Sequence, residues 1–202
     1  MKKDLKKLEK LARFLAEIFM LKRNKREGWR LINVEPDSLA DHLTIAAQIA
    51  YVLGEMEGLS GEKCAAIVLF HDNGEVRTID QHKVSARYFD ARQAELKAAK
   101  DQLQNLPTNI GKKIYQLIEQ HEKRNTPEGI VARDADWLEV ALQAKILVEH
   151  GYKFAQNWID NVVKALETDS AQKILQEIST IDDFTNSWWQ GLKKMTYKKL
   201  YK

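Results

Sequence analysis

The dipeptide His71-Asp72 closes a run, Cys64-Ala65-Ala66-Ile67-Val68-Leu69-Phe70, that is apolar nearly all round. Such a run reads as a buried central helix, and a polar pair at its end is costly unless it is hydrogen-bonded or binds a cation. Imidazole and carboxylate together are good ligands for a divalent transition metal. Neighbouring residues on an ideal helix point about 100° apart, so the pair can meet one ion only where the helix is ending. Gly74, two residues on, supplies such an ending. Further ligands must come from elsewhere in the chain. His42 opens the helix that follows Pro36-Asp37-Ser38, and Asp136 lies in the first turns of a helix that begins after Thr126. Asp134 competes for that last role. The two aspartates are two residues apart, face roughly opposite sides, and only one of them can point inward.

The elements that must position these groups are all helical. Apolar spacings of three and four put Leu5, Leu8, Leu11, Ala12, Leu15, Ile18 and Phe19 on one stripe of a first helix. Leu39, Leu43, Ala46, Ala47, Ala50 and Leu53 form a second, with Ser38 as cap and Asp41 as the acid of a capping box. Ser60 caps the third. Residues 82 to 105 read as a charged helix, 109 to 123 as another, and Thr126-Pro127 starts one reaching about 149. Helices at 153 to 167 and 170 to 179 follow, before an aromatic, basic end with Trp188, Trp189, Lys193, Lys194, Tyr197, Lys198 and Lys199. No alternating strand pattern, internal repeat or linker interrupts the series. The expectation is an all-α, single compact multi-helix domain over residues 1–202, with a metal site among the central helices.

Composition bounds the function. Hydrophobic residues at 44% and charged residues at 30% match a globular domain and exclude a disordered chain. Nine Gly, three Pro and one Cys exclude a collagen-like or disulfide-stapled fold. A net charge of +3 over 202 residues argues against a nucleic acid polymer as partner. No apolar stretch is long enough to span a bilayer, and charges threaded through the first helix argue against a secretory signal. The lone Cys64 points to a reducing, cytoplasmic setting.

Taken singly, each polar piece is ordinary, but their joint order is not. The series His42, His71-Asp72, Asp136 resembles the HD-domain metal-dependent phosphohydrolases, in the branch that contains bacterial 5′-deoxynucleotidases. Four blocks carry the resemblance over roughly residues 10 to 150: LKRNKREGW (21 to 29), PDSLADH (36 to 42), LFHDNGEVRTID (69 to 80) and TPEGIVARDADWLEVALQA (126 to 144). Residues 151–202 carry no motif and are C-terminal helices of unassigned role. The resemblance implies an HD-type bundle in which His42, His71, Asp72 and Asp136 hold one divalent metal. It implies that Glu75 and Asp80 handle the proton and the attacking water, that Arg26 meets phosphate, and that Trp29 lies against the sugar, where an aromatic residue is thought to exclude a ribose 2′-hydroxyl. Similar proteins are commonly homodimers, and the resemblance implies the same here.

The residue types suit that chemistry. Two imidazoles and two carboxylates favour manganese, iron, cobalt, nickel or zinc over magnesium. Glu75 falls four residues after His71 and three after Asp72, so continued helical turns put it on the metal side, as general base or as a group orienting a ligand. Asp80 lies on the following loop, where it can protonate a leaving alkoxide or position water, and Arg26 offers a planar fork matched to phosphate. Arg77 and Lys83 are further cations near the site, with solvent exposure the simpler account of both.

There are departures from the family pattern. Asp41 replaces the Glu usual before the first metal histidine, and Arg133 the Lys three residues before the last aspartate. Ile79 stands where a Gly commonly precedes the acid at 80, so the loop backbone there is expected to differ. His82 and His121 raise a two-metal alternative that their spacing does not match. Three functions follow: a metal-dependent phosphomonoesterase acting on (deoxy)nucleoside 5′-monophosphates; a phosphodiesterase or other nucleotide phosphohydrolase of the same superfamily; or a non-catalytic metal-binding helical module. The two extra carboxylates argue against the third, because a structural site needs only its ligands.

Overall fold

A computed structural model describes residues 2–196 of the chain, with side chains from 5 to 192. Among them are ten α-helices, no strand, and one isolated bridge between Lys25 and Ser38. The helices are α1 (Lys2–Ile18), α2 (Leu39–Met56), α3 (Gly61–His71), α4 (Glu75–Thr78), α5 (Ala91–Leu103), α6 (Thr108–Lys123), α7 (Pro127–Glu149), α8 (Gln156–Ala165), α9 (Asp169–Thr180) and α10 (Phe184–Thr196). Short 3₁₀ turns at Phe19–Lys22, Glu27–Ile32, Asp72–Gly74, Ser85–Arg87 and Lys153–Ala155 link them. The all-α expectation holds.

Helix starts follow the capping chemistry. The Ser38 hydroxyl accepts from the Asp41 N–H at 3.2 Å while the Asp41 carboxylate accepts from the Ser38 N–H at 3.1 Å, a complete capping box ahead of His42. Ser60 accepts from the Lys63 N–H, and Thr126 from the Gly129 N–H with Pro127 in the first helical position. Each such cap is worth about 1 kcal/mol. The helix expected over 82 to 105 is shorter than its charge pattern suggests. Asp90 accepts from the Gln93 N–H and so starts α5 at Ala91. Residues 82 to 90 are instead a loop held by local side-chain bonds: Ser85 N–H donates to His82 Nδ1, and Ser85 Oγ to the His82 carbonyl and Gln81.

The largest buried cluster joins α2 (Ala46, Ala47, Ala50, Leu53), α3 (Cys64, Ile67, Val68) and α7 (Val131, Ala132, Ala135, Leu138, Ala141), with Val162 and Leu175 closing it from α8 and α9. The alanines let the helix axes approach. So does the α2–α3 turn, where a Cβ on Gly54 would come within 2.9 Å of the Gly61 Cα. The hub is α7, which packs on α2, α3, α6, α8, α9 and α10, whereas α3, read as the fully buried helix, leaves Leu69 exposed. A second cluster seats α1 on α5 and α6 through Phe14, Ala99, Leu103, Ile114 and Ile118. The stripe expected for α1 is only partly seated there: Leu11 and Ile18 pack against this cluster, while Leu5, Leu8, Leu15 and Phe19 are exposed. A third gathers Trp29, Ala144, Leu147, Ala155 and Ile159. At the aromatic end Trp188 is exposed; Tyr197, Lys198 and Lys199, and the side chains of Lys193 and Lys194, lie outside the described residues. Among the described residues no helix is long and apolar enough to cross a membrane.

Candidate metal centre and its cavity

Three helices and the turn behind one of them deliver four ligand-type side chains to one place. His42 comes from the first turn of α2, His71 from the last residue of α3, Asp72 from the 3₁₀ turn behind it, and Asp136 from α7. His42 Nε2 is 3.2 Å from Asp136 Oδ1 and 3.9 Å from Asp72 Oδ2; His71 Nε2 is 2.9 Å from Asp72 Oδ1 and 3.8 Å from Asp136 Oδ1. The change from α-helix to 3₁₀ turn at Asp72 is what lets adjacent side chains converge. Gly74 contributes differently from a helix stop. Its φ is an ordinary −62°, but a Cβ there would sit 2.3 Å from the Glu95 carbonyl oxygen, so its bareness lets α5 lie against the turn.

Both imidazoles are aimed by their other nitrogen. His42 Nδ1 lies 2.6 Å from the buried Glu139 carboxylate, and His71 Nδ1 2.7 Å from the Val68 carbonyl oxygen. With the Nδ1 proton given to these acceptors, each Nε2 turns a lone pair toward the cluster, the usual arrangement behind a metal-ligating histidine. His42 Nε2 and Asp72 Oδ2 are buried yet have no hydrogen-bond partner. A dry, unpartnered polar atom is rare and costly unless an ion or water completes it. Mixed imidazole and carboxylate donors with such orphan atoms fit a divalent transition metal.

The electrostatics agree with a site built for positive charge. Burial and the Arg26 charge push the His42 pKa down, yet the Asp136 and Glu139 carboxylates beside the ring outweigh them and raise it to about 9. Burial raises Asp136 and Asp72, and the adjoining histidines overcome it, holding both carboxyls well below the usual range. Glu75 goes the other way: burial, then the Asp72 and Asp80 charges, hold it well above its ordinary value. Asp80 is raised by burial against the opposing pull of Arg26.

Asp134 faces away from this centre. Its carboxylate accepts from the Glu167 and Thr168 N–H groups and from the Thr168 hydroxyl at 2.6 to 3.1 Å, fastening the start of α9 to α7. The other expected residues ring a cavity of about 580 Å³ whose floor includes His71, Asp72 and Asp136. Glu75 is buried in its wall. Arg26 Nη1 lies between Asp72 (3.8 Å) and Asp80 (3.9 Å). Trp29 is buried in the third cluster, and its ring lies 5.2 Å from that of Trp158. Lys83 also lines the cavity, over the Trp137 ring at 5.7 Å, whereas Arg77 pairs with Glu17 of α1 and stays outside it.

Sequence reasoning passed over two features and set a third, His121, aside on its spacing. Glu139, behind His42, sits one turn after Asp136, a spacing that could have flagged it. Trp158, Asn157 and Asn161 of α8 line the cavity, although no motif marks them. His121, read as a residue of a polar helix, is fully buried with its ring centroid 4.0 Å from that of His71. Burial and the nearby His71 lower its pKa to about 4. Its signal was the stripe Ile114, Ile118, His121, which keeps helical spacing on the inward face of α6.

Histidines and aspartates in the order His, His-Asp, Asp, drawn from separate helices of an all-α bundle to the floor of one cavity, define a class of metal-binding helical proteins. The chain belongs to the HD domain family, whose model matches residues 18–179. The mouse protein named 5′-deoxynucleotidase HDDC2 is 31% identical over 140 residues, covering 66% of this chain and 68% of that one. Its human counterpart is 27% identical over 176 residues, covering 83% and 84%. Among solved structures, a conserved hypothetical protein from Pyrococcus furiosus superposes with a TM-score of 0.70 at 27% identity, over 84% of this chain and 99% of that one. A cyanophage S-2L HD phosphohydrolase (DatZ), bound to dA and one catalytic Zn²⁺ ion, shares the fold with a TM-score of 0.55 at 18% identity, over 85% and 94%.

Proposed function

We propose that this chain is a metal-dependent phosphohydrolase that removes phosphate from deoxynucleoside 5′-monophosphates. One observation carries the reading: four ligand-type side chains from three helices meet in one cluster, and three of them, His71, Asp72 and Asp136, face a cavity also lined by Glu75, Asp80 and Arg26. Kinship with proteins named 5′-deoxynucleotidase supports the substrate class. In this reading His42, His71, Asp72 and Asp136 hold one divalent metal, drawn from manganese, cobalt, zinc, nickel and iron by the mixed donor set. Bound there, a divalent metal supplies Lewis acidity toward the phosphoryl group and a water of lowered pKa.

The chain's own residues do the rest. Arg26 fixes phosphate oxygens through its planar fork, and its position between Asp72 and Asp80 keeps that fork over the cavity floor. Glu75 is buried in the cavity wall and Asp80 lies beside Arg26. These two are the groups that take a proton from the attacking water and give one to the leaving 5′-oxygen. Trp29, backed by Trp158, is a rigid wall against the sugar that leaves no room for a 2′-hydroxyl. The exposed leucines of α1 offer an apolar face for a second copy of the chain, in keeping with a cytoplasmic homodimer.

The test is phosphate release from a panel of deoxy- and ribonucleoside 5′-monophosphates, 3′-monophosphates and cyclic diesters, with each candidate metal supplied in turn. Turnover of 5′-monophosphates with deoxyribose preferred is expected, and Trp29→Phe should narrow that preference. Release from diesters alone would replace the reading with a phosphodiesterase. No turnover with any metal, despite a bound ion, would leave a non-catalytic module.

A further inference from the structure

His121 ends where the four candidate ligands end. Its Nε2 is 3.8 Å from Asp136 Oδ2, buried, and without a hydrogen-bond partner. The ligand atoms of His71, His121 and Asp136 all lie within 4.8 Å of one another, as do those of His42, His71 and Asp72. The two sets share His71, so His121 extends the same cluster rather than starting another. On α6 the residues one and two turns earlier on the same face are Ile118 and Ile114, both packed in the second apolar cluster. A third apolar side chain at position 121 would continue that packing. An imidazole with a buried nitrogen that no hydrogen bond answers is instead costly, a cost a ligand would remove.

His42 and His71 each present Nδ1 to an acceptor within 2.7 Å and Nε2 to the cluster; His121 also turns Nε2 to the cluster, but its Nδ1 is held less firmly, 3.7 Å from Glu122 Oε1 and beyond hydrogen-bond reach. We propose that His121 is a metal ligand, a third imidazole at this centre, bringing its donors to three nitrogens and two carboxylates. That set shifts preference further from magnesium and toward zinc, cobalt, nickel or iron. The inference rests on the metal-centre reading above. One neighbour offers the alternative: Arg133 Nη1 is 3.5 Å from His121 Nδ1. Donation from Arg133 would leave the ring proton on Nε2, and His121 would then hydrogen-bond Asp136 and only position it.

Cobalt(II) alone is the probe. The full chain is freed of metal with a chelator and reloaded, and three quantities are read for the parent, His121→Gln and His121→Ala: bound cobalt by elemental analysis, affinity by chelator competition, and the visible ligand-field spectrum. The expected result is at least a ~10–100-fold loss of affinity, the range already seen for residues that merely orient a ligand, together with an altered spectrum. Unchanged affinity and spectrum overturn the proposal. A fall in affinity with the spectrum intact also overturns it, because His121 then acts only through Asp136. Should both variants fail to fold, proton NMR of the parent cobalt protein decides: three strongly shifted imidazole N–H signals support the third ligand, and two refute it. A parent that binds no cobalt and no other divalent metal sinks the metal-centre reading itself, an outcome separate from any behaviour of His121.

Discussion

Ile79 holds φ +57° and ψ 158°, a backbone region populated almost only by glycine and costing a β-branched residue ~1–3 kcal/mol. The sequence departs here from a family glycine, yet the backbone keeps the glycine conformation and absorbs the strain. Asp80 therefore reaches Arg26 on a loop under tension. Ile79→Gly should raise the melting temperature by about 2–4 °C per kcal/mol released, on the scale for chains of this length, less the ~0.5–1 kcal/mol entropy cost of a glycine. A lower melting temperature would show that the loop is unstrained. Glu75 is tested by Glu75→Gln, which keeps shape and removes the exchangeable carboxyl proton. Metal content should persist while kcat falls ~10²-fold or more; normal turnover would remove Glu75 from the chemistry. His42, His71 and Asp72 were legible because each stands close to a cap or a helix end that the sequence spells out, and Asp136 because its helix has a marked start at Thr126 and Pro127. Glu139 and His121 were not, because what matters about them is which neighbour they meet across 97 residues and across α6 and α7, and spacing along one helix says nothing of that.

Helix α7 shows how two residues of the same type can do opposite work. Asp134 and Asp136 differ by 200° around the helix at the usual ~100° per residue. One fastens α9 through backbone N–H groups, the other reaches the histidine cluster. Replacing Asp134 by alanine leaves the Glu167 and Thr168 N–H groups without their acceptor. We expect ~1–3 kcal/mol of destabilisation, read by denaturant unfolding, with cobalt affinity nearly unchanged. A large loss of metal affinity would mean that the two aspartates are not independent. The helices that begin with Ser38, Ser60 and Thr126 were readable because one side chain satisfies a specific N–H. The loop at 82 to 90 was misread as helix because its charged residues carry no such stop signal. What keeps it out of the helix is a set of side-chain hydrogen bonds, donated by Ser85 to His82 and Gln81 and accepted by Asp90 from the Gln93 N–H, that compete with helical ones. In α1 the apolar spacing was right and the buried face is narrower than the stripe, since Phe14, Leu11 and Ile18 pack in the second cluster while Leu5, Leu8, Leu15 and Phe19 are exposed.

At the scale of the molecule, the first apolar cluster and the candidate metal centre are carried by the same three helices. Removing the metal should therefore loosen the whole bundle rather than one loop. Adding cobalt or zinc at 100 times its dissociation constant stabilises the native state by about 2.7 kcal/mol, a rise of several degrees in melting temperature. Differential scanning fluorimetry with and without chelator reads it directly, and an unshifted transition would mean that no ion binds between these helices. One consequence follows from where the donors lie along the chain. Sixty-four residues separate Asp72 from Asp136, so at 5–20 residues per second a ribosome needs roughly 3 to 13 s to supply the last partner after the first three. During that interval α2 and α3 lack the helix that packs against them both, so the first three donors have no fixed geometry to offer an ion until α7 is made.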